Sequence, residues 1–202
     1  MKLLRQTIRR MILQEGMVTA DQLPEDVVIR IEEIGSQKAK IQYARFDEEQ
    51  GKVSQRFSTV QGDTCWGTIT IEKYSGPNKI PVWEVREVEA GQGYGPLLYD
   101  LAMEYATEHG LGLISDRNSV SEGEDGAVNV WDYYMNHRVG DDVEAHQLDD
   151  LQNTLTDTYD DNVDQWISKA FAKEEWEYHS TSKRYTKAPT TFEALGNKVI
   201  YS

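Results

Sequence analysis

Hydrophobic and polar residues alternate along 27–34 (VVIRIEEI), 39–46 (AKIQYARF) and 66–74 (WGTITIEKY), which predicts three half-buried strands. The Gly35-Ser36-Gln37 turn joins the first two as a hairpin, and Gly76-Pro77-Asn78 separates the third from a fourth strand at 82–88 (VWEVREV). The period then changes. Leu97, Leu98, Leu101, Ala102, Tyr105 and Ala106 recur at three- and four-residue spacing, predicting a helix over 96–109 with Pro96 in its first turn. Gly110 is its predicted C-cap, and 111–115 (LGLIS) reads as a buried strand. A polar loop leads to a second helix over 127–137 (AVNVWDYYMNH), and a short strand is predicted at 198–201. Residues 1–15 pattern as an amphipathic helix, with Leu4, Ile8, Met11 and Ile12 on one face and Lys2, Arg5, Arg9 and Arg10 on the other. An antiparallel meander followed by strand, helix and strand predicts an α+β (α/β) fold: a mixed, mostly antiparallel sheet around one parallel strand pair, with flanking helices.

At the junction of the fourth strand and the first helix stands Glu89-Ala90-Gly91-Gln92-Gly93-Tyr94-Gly95-Pro96. A glycine loop that opens a helix leaves several N–H groups unpaired at the positive end of the helix dipole, an arrangement that suits phosphate. The spacing is neither the G-x-G-x-x-G of dinucleotide folds nor a P-loop, so two readings stay open: a phosphate site, or simply a tight turn.

The net charge of −14 opposes nucleic-acid binding, so any anionic ligand depends on local N–H groups. It favours an amine substrate or basic partner, or serves solubility. No apolar run approaches the ~20 residues that span a bilayer, so no membrane role is expected. The start has no secretory pattern, and Cys65 is the lone cysteine, so the expected location is cytoplasmic. Between 140 and 165 stand nine acidic residues and no Lys or Arg, which reads as solvated loop or helix surface. Asp157 to Asn162 lacks the ligand spacing of a calcium loop, and no histidine pair has zinc spacing, so no metal is predicted. His109 and His137 are expected at helix C-termini.

The order of these elements, with Ala90-Gly91-Gln92-Gly93-Tyr94-Gly95 at the loop, resembles the GNAT superfamily of acetyl-CoA-dependent N-acetyltransferases over residues 25–137. The family loop is Gln/Arg-x-x-Gly-x-Gly/Ala; Gly93 and Gly95 are kept, and Ala90 replaces the leading Gln/Arg. In its GPLLYD, ISDR and VWDYY segments the chain is also similar to GNAT-like proteins encoded by tailed phages. The resemblance implies a central, splayed parallel pair. Acetyl-CoA would be held by Gly91, Gln92, Gly93, Tyr94, Gly95 and Pro96 at its pyrophosphate, and by the main chain of Trp83, Glu84 and Val85 along its pantetheine arm. The acceptor would be an amine on a small molecule or protein. In the family a tyrosine on the second helix protonates the thiolate. Trp131 takes that position here, leaving Tyr133 or Tyr134 as candidate acid and Glu84 as candidate base. For each a bland role is also open: aromatic packing for the tyrosines, the solvent side of a strand for Glu84. The implied division is a basic N-terminal helix (1–20), the core (25–137) and an acidic C-terminal extension packed on it (138–202). A rival reading is a non-catalytic, phage-type protein with a degenerate cofactor site. It would be placed in host cytoplasm or virion, its N-terminal helix contacting a virion partner or a second copy.

Overall fold

The computed structural model describes residues 17–47, 52–53, 67–75, 81–91, 93–116, 127–147 and 180–202. The expectations for residues 1–15, Cys65, Gln92 and Asp157 to Asn162 lie outside the described residues.

Period-two burial builds the first half of the sheet. In β1 (Val27–Ile34) the residues Val27, Ile29 and Ile31 are buried on one face. Ala39, Ile41 and Tyr43 of β2 (Lys38–Asp47) and Ile69 and Ile71 of β4 (Gly67–Lys73) are buried likewise. The short β3 (Lys52–Val53) pairs with β2 alone. β1, β2, β4 and β5 (Trp83–Ala90) pair antiparallel in succession. The chain continues as α1 (Gly95–Glu108), β6 (Leu113–Ile114), α2 (Ala127–His137), β7 (Val143–Gln147), β8 (Lys183–Lys187), α3 (Thr190–Leu195) and β9 (Val199–Tyr201). Among the described residues the sheet has nine strands, eight in the order β7-β8-β6-β5-β4-β2-β1-β9 and β3 off this path beside β2. Its parallel contacts are β5 with β6 and β1 with β9. This is a mixed α+β architecture.

Of the fourteen residues of α1, nine are buried, so this helix is covered on more than its sheet-facing side. The outer cover includes α2, whose Trp131 stacks on Tyr185 of β8 (5.1 Å) and meets Tyr99 of α1 edge-on (5.6 Å). It also includes α3, docked through a buried charge cluster. The ammonium of Lys187, with a fully buried side chain, donates to Glu104, Thr190 (2.6 Å) and Thr191 (2.9 Å) and pairs with Asp142 (2.8 Å). Glu104 in turn accepts the N–H groups of Thr191 (2.7 Å) and Phe192 (2.8 Å), satisfying donors that the first turn of α3 cannot bond internally.

Several expectations are corrected. Residues 143–147 of the acidic segment form a strand rather than solvated loop or helix surface, because β8 offers a partner over five residues and Val143 turns into the core. In the C-terminal region β8 lies within the sheet and β9 extends it beyond β1. Residues 17–19 have no regular structure, and Ala20–Gln22 is a 3-10 turn with a capping box between Thr19 and Gln22. The helix C-cap is His109, not Gly110, and the left-handed residue that turns the chain into β6 is Gly112, at φ 115°.

Candidate functional site

The site expected from the sequence lies where β5 leaves its parallel neighbour. Trp83 pairs with Leu113 and Glu84 with Ile114, and there β6 ends, whereas β5 runs on to Ala90. Among the described residues no strand pairs with residues 85–90 of β5 on that side. A local irregularity accompanies the parting. Thr70 pairs with Glu87 and Ile71 with Val85, so Arg86 is an extra residue, a β-bulge that bends the strand and increases its twist. The free edge therefore begins at Val85. Trp83 and Glu84, expected to flank a ligand through their main chain, are engaged by β6 on this edge, and the N–H of Trp83 donates to Gly112 O (2.9 Å).

The glycine loop follows the free edge. Gly93 has φ 84°, a conformation that side-chain-bearing residues rarely adopt. Three carbonyls of the loop are bonded within the protein: Gly93 O accepts from Val18 N–H (3.0 Å), Gly91 O from Tyr94 N–H (3.1 Å), and Tyr94 O from the Tyr43 hydroxyl (2.7 Å). The Tyr43 and Tyr94 rings meet edge-on at 5.3 Å and clamp the turn. In a trans peptide the N–H points opposite the C=O, so the Gly95 N–H is directed away from Tyr43. Tyr94 is the N-cap of α1 and makes no side-chain capping bond. Pro96 has no N–H, so the orphan donors of the first turn are those of Gly95 and Leu97. An uncapped helix N-terminus beside an unpaired strand edge can accept an anion and an extended, amide-bearing chain.

The candidate catalytic residues fall in different surroundings. Glu84 is almost wholly buried, at 1% exposure, so it is not a residue on the solvent side of a strand. It stands directly across from Glu72, and the bulge residue Arg86 bonds both carboxylates, each at 3.3 Å. The two like charges would repel without that guanidinium between them. Trp83 points to the other face, meets Tyr105 edge-on (5.3 Å), and donates its indole N–H to His109 O (3.3 Å). Tyr134 is fully buried, and its hydroxyl donates to Asp100 (2.7 Å) while lying 3.0 Å from Pro96 O. Burial, then the neighbouring Asp100 charge, pushes its ionisation well above the ordinary tyrosine range. Asp100 is itself raised by burial, against the opposing pull of Arg138 and Lys187 and the Tyr134 hydrogen bond. Tyr133 remains half-buried.

Sequence periodicity located the strand, the glycines and the helix, but not the edge formed by 85–90 or the bridge at Arg86. Both arise from a register shift against β4 and from the two-residue length of β6. Neither leaves a composition signal. Asp100 and Arg138 (3.3 Å apart) likewise meet only because α2 packs on α1. No helix among the described residues is long and apolar enough to cross a membrane, and no group of three or more potential metal ligands occurs among them. The chain matches no protein-family model, no curated protein and no solved structure.

Proposed function

We propose that the chain binds acetyl-CoA in the gap between β5 and β6 and transfers its acetyl group to an amine, in keeping with the GNAT resemblance. The observation that carries this reading is the juxtaposition of an unpaired β5 edge, from Val85 to Ala90, with the uncapped start of α1. The residues fit the ligand's two halves. The N–H groups of Gly95 and Leu97 would hold the pyrophosphate, and the edge of 85–90 would pair with the amides of the pantetheine arm. When bound, acetyl-CoA supplies an activated acyl carbon and a thiolate leaving group. The protein's part is to align the amine, remove its proton and exclude water. Glu84 is the base in this proposal, a buried carboxylate at the start of the gap whose place is fixed by Arg86. Of the two tyrosines Tyr133 is the better acid, since the Tyr134 hydroxyl is bound to Asp100. The acidic surface suits a cationic acceptor.

The engagement of Tyr134 and the packing of Trp131 also favour a second reading, in which a protein of this fold binds its ligand without turnover. Calorimetry with acetyl-CoA, CoA and ATP, followed by thioester turnover over a panel of amines, separates the two. The informative variant is Gly95→Glu. A Cβ there meets only Ala90 Cβ, at 3.7 Å, and a carboxylate in the first turn favours the helix. Stability should therefore hold while affinity for acetyl-CoA drops by about tenfold or more, the ~1.4 kcal/mol of one lost anion contact. Absence of acetyl-CoA binding by the parent protein at about 1 mM, an affinity of only ~4 kcal/mol, would refute the proposal.

A further inference from the structure

A second concavity lies among the helices. Residues 17–21, the first turns of α1, the end of α2 with the loop after it, and α3 border an open concavity of about 530 Å³. That is within the roughly 300–1,000 Å³ of small-molecule sites. It shares Pro96 and Tyr133 with the site predicted from the sequence, but no residue of the free β5 edge lines it.

Its two sides differ in character. One side is apolar, built by Val18, Ala20, Leu97 and Ala194. The other carries four carboxylates, Asp21, Asp100, Asp141 and Asp142, against the single guanidinium of Arg138, a formal excess of three negative charges with the imidazole of His137 left out of the count. Behind this wall the buried Lys187 offsets the charge of Glu104 and also reaches Asp142 (2.8 Å), so the pair adds no net charge and leaves the rim carboxylates Asp21 and Asp141 uncompensated. The inner carboxylates have cationic partners: Arg138 reaches Asp100 (3.3 Å) and Asp142 (3.0 Å). The outer ones do not, because among the described residues no cation pairs with Asp21 or Asp141. Tyr133 adds an aromatic wall, whose face attracts cations. An anion would meet repulsion from several sides, and a neutral apolar molecule would leave the rim carboxylates desolvated without compensation.

We propose that this cavity is a binding site for a small organic cation, a primary ammonium carried on a short apolar body. The ammonium sits between Asp21 and Asp141 at the rim, and the hydrocarbon lies against Leu97, Val18 and Ala194. The site uses no loop amide, so its occupancy does not depend on the acyl-transfer reading.

The test is titration of the full chain with n-butylammonium, using butyrate and n-butanol as controls of similar size. Saturable binding of the ammonium near about 1 mM is expected for so small a ligand, with neither control matching it. The double variant D21N/D141N, altered at rim side chains outside the buried Lys187 cluster, should bind at least about fivefold more weakly. Ala194→Trp should abolish binding by filling the cavity from an exposed helix position, with an unchanged far-UV spectrum. Equal binding of butyrate or butanol, parental affinity in D21N/D141N, or no saturable ammonium binding by the parent would each overturn the proposal.

Discussion

Replacing Lys187 by methionine tests how α3 is held to the rest of the fold. The side chain of Lys187 is fully buried, and its ammonium joins Glu104 and Asp142 to the hydroxyls of Thr190 and Thr191. Methionine fills nearly the same volume but leaves the Glu104 carboxylate, itself wholly buried, without its counter-charge. Removing one member of a buried ion pair costs about 3–5 kcal/mol, because the remaining ion keeps its desolvation penalty and loses its partner. Asp142 should contribute less, since it is partly exposed and retains Arg138. For a chain of this size each kcal/mol lowers the melting temperature by about 2–4 °C, so the expected fall is about 6–20 °C. The K187M/E104Q pair removes both charges and leaves an amide oxygen to accept an N–H from α3, so it should recover about half the loss. Urea denaturation of parent, both single variants and the double variant then gives a coupling energy of at least about 2 kcal/mol, the recovered half of the K187M loss plus whatever the E104Q variant loses alone. Additive single effects, or a fall of less than about 1 kcal/mol in K187M, would show that the ammonium is solvated and that the cluster is not what docks α3.

Two further expectations concern backbone and pH. Gly112→Ala should cost more than about 3 kcal/mol, since φ is +115° and the new Cβ would lie 2.4 Å from Tyr185 O; Gly35→Ala, at φ +65° with no atom within 4 Å, should cost only about 1 kcal/mol, and equal melting temperatures for the two would refute the close approach of β6 to β8. Burial alone would raise the Asp142 carboxyl, but hydrogen bonds from Lys187, Thr190 and Arg138 outweigh it and hold the group well below the usual carboxylate range. Its stabilising contribution is therefore complete above the unfolded value of about 3.9 and is lost as pH falls through the lower folded value. The stability gap between parent and Asp142→Asn should be widest near neutrality and should narrow in acid; a gap that widens below about pH 4 would contradict the assignment.

The alternation of β1 and β2 was legible because alternate residues turn to the core, and the period of α1 because its apolar residues recur every three or four positions, although the helix is covered on more than its sheet-facing side. Helix α2 agreed with expectation at both ends, 127 and 137. β7 was not legible. Its residues Val-Glu-Ala-His-Gln lie in an acidic stretch, and their strand character comes from β8, some forty residues later in the chain. β8 carries the pattern Lys-Arg-Tyr-Thr-Lys, in which the buried Lys187 looks like a surface residue until Glu104 and Asp142 are placed around it. The candidate site divides the same way. The glycine loop and Pro96 mark a helix start in any context, but the sequence left Glu84 open between a base and the solvent side of a strand, and Tyr134 between an acid and a packing aromatic; the structure buries Glu84 and bonds Tyr134 to Asp100.

Local sequence thus specified the properties that depend on neighbours within about a helical turn or two along the chain: where strands and helices form, where the glycine bend falls, and the strongly negative charge. Tertiary packing specified the rest. The point at which β5 parts from β6, the bulge that sets Arg86 between Glu72 and Glu84, the charge cluster under α3 and the acidic cavity beside it are each made by residues distant in the chain. Burial and ion pairing depend on how far atoms lie from one another and from water, and those distances exist only once the sheet and its helices have come together.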